Sequence, residues 1–154
     1  MDLSEFLVPS SILPGLKVTS KKQVFQELAE CAANATGLEE TKVVHVLFKR
    51  ERLGGTGVGN GIAIPHARIP KLDRLYGFFA RLEKSVDFDA IDGTPVDLVF
   101  LLLAPENASA EHLKALARIS RILRDHSICK KLRGSQTADA LYALLTESAT
   151  PHAA

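Results

Sequence analysis

Hydrophobic positions along the chain follow a helical period in some segments and become nearly continuous in others. The nearly continuous apolar segment Val96–Ala104 is typical of a strand covered on both faces. Leu75–Leu82, rich in aromatic and aliphatic residues, predicts a second strand. Helical spacing predicts three long helices. The first follows Ser20, the second runs from about Glu39 to Arg52, and the third runs from about Asn107 or Ser109 to Arg124. These patterns predict helices on both sides of a sheet.

Shorter segments complete the predicted order of elements. Ser20 and Gln23 have the spacing of a capping box, and Gly37 suits the end of the helix that follows. The other predicted elements are strands near Leu16–Val18 and Ile62–Ile64, a loop over Ala67–Asp73, and helices over Ser127–Arg133 and from Thr137 to about Thr146. Since helices and strands intermix, we predict an α/β fold, a mixed sheet flanked by helices on both faces. We expect one domain over residues 1–147 and a flexible tail over residues 148–154.

The most unusual stretch holds five of the ten glycines of the chain between Gly54 and Gly61. Glycine reaches positive φ at little cost, so the stretch predicts a shaped loop that leads into the strand Ile62–Ile64. Pro65 has no amide proton and ends ladder pairing there. The next side chain, His66, is therefore predicted at a strand end beside a glycine loop, where an imidazole can do chemistry at neutral pH.

Composition and charge narrow the class of protein. Nineteen basic and eighteen acidic residues give a formal charge of +1, so no broad attraction to nucleic acid or to an anionic membrane is expected. The longest apolar run, Leu98–Ala104, is too short to cross a bilayer, and the N-terminus does not resemble a signal peptide. Cys31 and Cys129 stand alone, which fits free thiols in a reducing cytosol. We expect a cytoplasmic protein.

Two kinds of ligand site can be tested against the motifs. The glycine stretch contains no GxxxxGK[ST] and fails GxGxxG in every register, which argues against a nucleotide. A zinc site needs three or four ligands, and no HxxxH, HxH or CxxC accompanies His66 or His112. We therefore expect neither a cofactor nor a metal.

A third hypothesis is phosphoryl transfer through histidine. An imidazole with a pKa of about 6.5 is largely an unprotonated nucleophile at neutral pH, so His66 is a candidate acceptor. Backbone amides of Gly57–Gly61, the guanidinium of Arg50 and the imidazole of His112 could neutralise the transferred group. From chemistry alone, structural roles remain open. His112 also fits as a residue of a first helical turn, and Arg50 fits as a cation near a helix C-terminus.

The run Gly57-Val58-Gly59-Asn60-Gly61-Ile62-Ala63-Ile64-Pro65-His66 resembles the active-site signature of the IIA domains of the bacterial phosphotransferase system, in the fructose/mannitol group. The Gly-Asn-Gly sequence within this run is most similar to that of the nitrogen-regulatory branch. The similarity extends from the Thr19–Lys22 region through Phe88–Asp97 and Glu111–Leu113 to the helix near Leu141. It therefore covers almost the whole chain.

This resemblance implies specific roles and partners. His66 would accept a phosphoryl group on its ε nitrogen from a phosphohistidine of an HPr-like carrier protein. Arg50 and His112 match the arginine and the second histidine of the family site, and Thr56, Asn60 and the adjacent loop (Gly57, Gly59, Gly61) would shape the pocket. The resemblance implies a phosphotransferase component that turns over only with partner proteins. Two functions remain open: a nitrogen-related regulator, which we favour, and a phosphocarrier that passes the group to a sugar-specific IIB domain.

Overall fold

Five α-helices and six β-strands make up most of residues 1–147, the part of the chain that the computed structural model describes. Two short 3-10 helices, Leu3–Glu5 and Pro9–Ser11, precede them. The strands are β1 (Ile12–Leu16), β2 (Gly57–Gly59), β3 (Ile62–Ala63), β4 (His66–Ile69), β5 (Tyr76–Val86) and β6 (Val96–Pro105). The helices are α1 (Lys21–Thr36), α2 (Glu40–Leu53), α3 (Ser109–Leu123), α4 (His126–Arg133) and α5 (Ala138–Glu147).

The strands form one mixed sheet in the order β1-β5-β6-β3-β2, and β4 also pairs with β6. β5 and β6 form a long antiparallel ladder at the centre, while β1 runs parallel to β5. β3 and β4 are consecutive short strands along the same side of β6, and both are parallel to it. In this register Ile62 lies opposite Leu98 and His66 lies opposite Leu102.

Each face of the sheet has its own hydrophobic core. Alternate residues of β6 supply both: Leu98, Phe100 and Leu102 belong to one, and Val99 and Leu101 belong to the other. The first core is completed by apolar residues of α3, α4 and α5, and the second by those of α1 and α2. The prediction from Val96–Ala104 of a strand covered on both faces is therefore confirmed. So is the predicted α/β fold with a mixed sheet and helices on both sides.

Local signals at the ends of α1 agree with the prediction in part. The Ser20 hydroxyl accepts the Gln23 N–H at 3.1 Å, and Gly37 ends the helix in the left-handed region with φ 77°. The Gln23 side chain does not return to Ser20 as a capping box requires. It accepts the backbone N–H of Thr19 at 2.7 Å.

Three predicted segments were wrong. β1 begins at Ile12, earlier than the predicted Leu16–Val18, because an edge strand tolerates the missing N–H of Pro14. Gly57–Gly59 is a strand rather than a loop, since it pairs with β3 in an antiparallel hairpin. Ala67–Ile69, the first part of the predicted loop Ala67–Asp73, belongs to β4 because it gains a parallel ladder with β6. His66 therefore begins a strand and does not end one.

Residues 148–154, for which we predicted a flexible tail, lie outside the described part of the chain. Within residues 1–147 no helix has the length and apolar character needed to cross a membrane. The expected cytoplasmic location stays a prediction.

Candidate active site

The conformation of His66 follows from the interruption between β3 and β4. Ile64 and Pro65 separate the two strands; the Ile64 N–H donates to the Thr56 carbonyl at 2.9 Å, and the Pro65 carbonyl accepts the Leu102 N–H at 3.0 Å. The Ile64 carbonyl lies 2.8 Å from Nδ1 of His66. A carbonyl oxygen can only accept a hydrogen bond, so Nδ1 carries the proton. The free lone pair of the ring is consequently on Nε2.

The surroundings of His66 favour the neutral ring. Its side chain is half-buried, and burial is the main reason that its pKa is lowered from the ordinary value. The Arg50 guanidinium lowers the pKa further, whereas the hydrogen bond to the Ile64 carbonyl and the negative charge of Glu51 oppose the shift. At neutral pH His66 therefore presents an unprotonated Nε2, the form that acts as a nucleophile.

Arg50 lies in the last turn of α2 and reaches this nitrogen. Its Nη2 is 3.5 Å from Nε2 of His66, and its Nη1 donates to the Gly54 carbonyl at 2.9 Å. The second hydrogen bond satisfies a carbonyl at the helix C-terminus and holds the guanidinium in place. A fixed cation thus stands beside the nucleophilic nitrogen.

His112 brings a second imidazole to the same place from the first turn of α3. The ring centroids of His66 and His112 are 5.6 Å apart and the rings stand at 70°, edge to face. His112 is buried, with 6% of its surface exposed. Burial, the nearby His66 and the charge of Arg68 lower its pKa from 6.5 to about 4. His112 is therefore also neutral at pH 7.

Two further residues of the site were missed by the sequence analysis. Arg68 donates from Nε to Nδ1 of His112 at 3.3 Å. Glu51, buried at the end of α2, accepts the Thr56 N–H at 3.0 Å and the Thr56 hydroxyl at 2.7 Å. Lys21 of α1 completes this cluster at 3.0 Å from Glu51. Glu51 had a signal because it directly follows Arg50, whereas Arg68 had none because Ala67–Asp73 was predicted as a loop and not as a strand.

Thr56 occupies a different environment from the glycines predicted to share its pocket. Thr56 is buried and lies beside Ile64, next to His66. Gly57, within β2, packs its backbone against residue Ala90, where an added Cβ would lie 3.0 Å from the Ala90 Cβ.

Gly59, Asn60 and Gly61 form the tip of the β2–β3 hairpin. The Asn60 N–H donates to Asp92 at 2.9 Å, and Arg133 donates to the Asn60 carbonyl at 2.8 Å. The Gly61 carbonyl accepts the Leu98 N–H at 3.1 Å. Leu98 lies four residues along β6 from Leu102, the partner of His66, which corresponds to about 13 Å at the usual rise of a strand. The pocket role of the tip residues and of Gly57 stays a prediction.

Among residues 1–147 no group of three or more His, Cys, Asp or Glu side chains is arranged to hold a metal ion. The site instead consists of a nucleophilic imidazole, a guanidinium and a second imidazole. These groups can position and neutralise a transferred anionic group without a metal.

Comparison with known proteins agrees with this arrangement. The sequence model of the family described as the phosphoenolpyruvate-dependent sugar phosphotransferase system, EIIA 2, matches residues 5–148. The chain belongs to this family. The resemblance to phosphotransferase IIA domains is thereby confirmed over almost the whole chain.

Relatives of this EIIA 2 domain include regulatory proteins. The nitrogen regulatory protein of Bradyrhizobium diazoefficiens is 58% identical over 145 residues, which cover 94% of this chain and 95% of the relative. The crystal structure of nitrogen regulatory protein IIA-Ntr from Neisseria meningitidis has a TM-score of 0.89 at 40% identity and covers 94% of this chain and 99% of its own.

A more distant structure supports the fold alone. The IIA domain for mannitol in the complex with phosphorylated IIB for mannitol from Escherichia coli has a TM-score of 0.74 at 22% identity, with 90% of this chain and 95% of that chain covered.

Proposed function

We propose that this EIIA 2 domain accepts a phosphoryl group on Nε2 of His66 from a phosphohistidine of an HPr-like carrier protein, and that it acts mainly as a nitrogen-related regulator. The observation that carries the proposal is the unprotonated state of Nε2 of His66. The Ile64 carbonyl fixes the proton on Nδ1 at 2.8 Å, so Nε2 keeps its lone pair 3.5 Å from Arg50. The unprotonated Nε2 is what a nucleophilic histidine requires, and the guanidinium beside it can neutralise the charge of the transferred group.

The transfer step exchanges a P–N bond on the donor histidine for a P–N bond on His66. The lone pair of Nε2 forms the new P–N bond, the P–N bond of the donor histidine breaks, and its electron pair returns to the donor nitrogen. With the proton kept on the other nitrogen of each ring, the donor leaves as neutral imidazole and the His66 ring becomes positively charged. The Ile64 carbonyl at Nδ1 stabilises this charge.

Arg50 and His112 supply the remaining electrostatic requirement. Charge in phosphoryl transfer spreads over the three equatorial oxygens, and a positioned guanidinium and an imidazole N–H can bind them. Arg50 already contacts Nε2, and the His112 ring lies beside that of His66. We expect Arg50→Ala and His112→Ala to fold and to take up the phosphoryl group more slowly, as measured by rapid quench and mass spectrometry.

The direct test is phosphorylation of purified protein. The chain is incubated with phosphoenolpyruvate, the first enzyme of the phosphotransferase system and an HPr-like carrier, and its mass is measured. Wild-type protein should gain one phosphoryl group that is labile in acid and stable in base, and His66→Ala should gain none. The exposed histidine of α2 provides a matched control, since His45→Ala should be labelled like wild type. Equal labelling of His66→Ala would exclude His66 as the acceptor.

The regulatory role is supported by the names of the relatives that share most of this chain. Two of them, from Bradyrhizobium diazoefficiens and Neisseria meningitidis, are nitrogen regulatory proteins. The phosphoryl group carries roughly 1.5–2 negative charges at pH 7, which the positive His66 ring offsets only in part, and this is enough to form or abolish a contact with a regulated protein. The partners we propose are therefore the HPr-like donor and proteins whose binding depends on the state of His66.

The alternative is a phosphocarrier for sugar uptake, favoured by the distant mannitol IIA domain that is bound to phosphorylated IIB in its complex. The two functions differ in where the phosphoryl group goes. Phosphorylated protein is mixed with purified fructose-type and mannitol-type IIB domains, and loss of the label is followed. Retention of the label, with partners recovered from lysate in only one phosphorylation state, is expected for a regulator. Rapid transfer to a IIB domain would establish the carrier function instead.

A further inference from the structure

Arg68 shares a strand face with His66 and contacts His112. In a strand, residues i and i+2 project from the same face, so Arg68 and His66 of β4 share a face. Ala67 and Ile69, on the other face, are part of the core that α1 and α2 cover. Arg68 therefore extends on the side where α3 brings His112, and the two side chains meet there at 3.3 Å.

This contact determines which nitrogen of His112 carries the proton. Arg68 contributes its Nε–H, and a guanidinium has no acceptor atom. Nδ1 of His112 must therefore be the acceptor, which leaves the single proton of the neutral ring on Nε2. A doubly protonated ring could not accept this hydrogen bond.

The second nitrogen of His112 is a buried donor without a partner. Nε2 is enclosed and makes no hydrogen bond within the described residues 1–147. A buried polar group without a partner is costly and calls for an explanation. Since the rings of His66 and His112 lie edge to face with centroids 5.6 Å apart, an oxygen of a group on His66 would supply the missing acceptor.

We propose that Arg68 is a positioning residue, which holds His112 in the Nε2–H form so that His112 donates a hydrogen bond to the phosphoryl group on His66. This inference rests on the proposed function. Without Arg68 the ring is free to carry its proton on Nδ1, and Nε2 would then turn a lone pair toward the phosphoryl oxygens. Arg68 itself acts through His112 and forms no P–O contact in this proposal.

The first measurement needs no phosphorylation and reads the ring directly. Long-range ¹H–¹⁵N spectra of the full chain labelled in histidine, recorded at pH 7.5, distinguish a protonated Nδ1 from a protonated Nε2. Wild-type His112 should be in the Nε2–H form, and its signals are assigned from the spectrum of His112→Gln. Arg68→Met keeps the length of the side chain and removes the donor. Loss of one hydrogen bond should change the ratio of the two forms about fivefold.

A matched control is available on the helix that carries His112. Arg121 is an exposed arginine of α3, and Arg121→Met should leave the His112 spectrum unchanged. Arg68→Lys supplies a different cation and should restore the Nε2–H form only in part, because the ammonium lacks the fixed geometry of Nε. Arg68 is exposed, so the variants are expected to fold, which circular dichroism checks.

The second measurement tests whether the protonation form of His112 affects the rate of His66 phosphorylation. The rate of His66 phosphorylation in Arg68→Met should fall in proportion to the fraction of the Nε2–H form that the spectra give, after the ratio of the two forms has changed about fivefold. A wild-type His112 protonated on Nδ1, or an Arg68→Met spectrum and rate equal to those of wild type, would overturn the proposal. Wild-type protein that accepts no phosphoryl group, but shows the expected spectra, would contradict the proposed function while leaving the effect of Arg68 on the ring established.

Discussion

Glu51 connects the active-site loop to two helices, and its removal should weaken both the fold and the site. Its carboxylate accepts three hydrogen bonds, from the Thr56 N–H, the Thr56 hydroxyl and Lys21. Thr56 is 4% exposed, so Glu51→Ala leaves two of its polar groups buried without an acceptor. Each such group costs about 1–3 kcal/mol, and we therefore expect the free energy of unfolding to fall by about 2–6 kcal/mol. Lys21, whose side chain is 20% exposed, can turn to water.

The same change should slow phosphoryl transfer. Arg50 donates to the Gly54 carbonyl, and Gly54 belongs to the segment that Glu51 ties to the end of α2 through Thr56. A loosened segment no longer fixes the guanidinium beside Nε2 of His66. Since loss of a preorganised donor reduces the rate by about 10²–10³-fold, a partial loss of its placement should reduce it by at least about tenfold.

Two assays separate these effects. Urea unfolding followed by circular dichroism gives the change in stability, and quenched phosphorylation at a temperature where the variant is folded gives the rate. Glu51→Gln keeps an acceptor and should lie between wild type and Glu51→Ala. The control is Glu39→Ala, because Glu39 is exposed and its 3.9 Å ion pair with Lys42 should contribute no more than about 1 kcal/mol. Equal stability of Glu39→Ala and Glu51→Ala would refute the argument from burial, and a wild-type rate in destabilised Glu51→Ala would refute the link to Arg50.

Three further predictions concern the hairpin tip and His112. Gly61→Ala should lower the urea midpoint more than Gly37→Ala, because both glycines have positive φ but only at Gly61 would the new Cβ meet another atom, Arg133 Nη2 at 2.7 Å. Arg133→Met should weaken the hairpin in the same assay, and its phosphorylation rate tests the predicted pocket role of the tip, which a wild-type rate would contradict. Folding lowers the pKa of His112 from 6.5 to about 4, so the unfolded chain binds more protons between these pH values and stability should fall as pH falls through this window. Unfolding of His112→Gln measured from pH 7 to pH 4 should show a shallower decline than wild type.

The elements that could be predicted are those whose signal is local or depends on burial from both sides. Every residue from Leu98 to Ala104 in the apolar run that became β6 is buried, and only a central strand between two layers explains this. The N-cap at Ser20 and the left-handed Gly37 determine the ends of α1 through their own backbone and hydroxyl groups. Such signals require no knowledge of distant partners.

The elements that were missed depend on pairing between distant segments. Glycine is unfavourable in strands, yet Gly57–Gly59 is a strand because β3 pairs with it after a reversal through Asn60, which has φ 58°. An Asn-Gly pair is a hairpin signal, so the turn could have been found. The short strand β4 has no such signal, since only the ladder with β6 orders it. The contact between Arg68 and His112 was out of reach for the same reason.

The two histidines of the site have opposite protonation patterns, and the cause lies in the group that each Nδ1 meets. At His66 a carbonyl freed by the strand break before Pro65 accepts a hydrogen bond from Nδ1–H, which leaves the lone pair on Nε2 for the proposed phosphoryl transfer. At His112 an arginine donates to Nδ1, which makes Nε2 a donor. The roles of the rings therefore depend on their neighbours and cannot be exchanged by exchanging imidazoles. Loss of the Arg68 hydrogen bond would let His112 present a lone pair at Nε2, which cannot donate to the phosphoryl group proposed on His66.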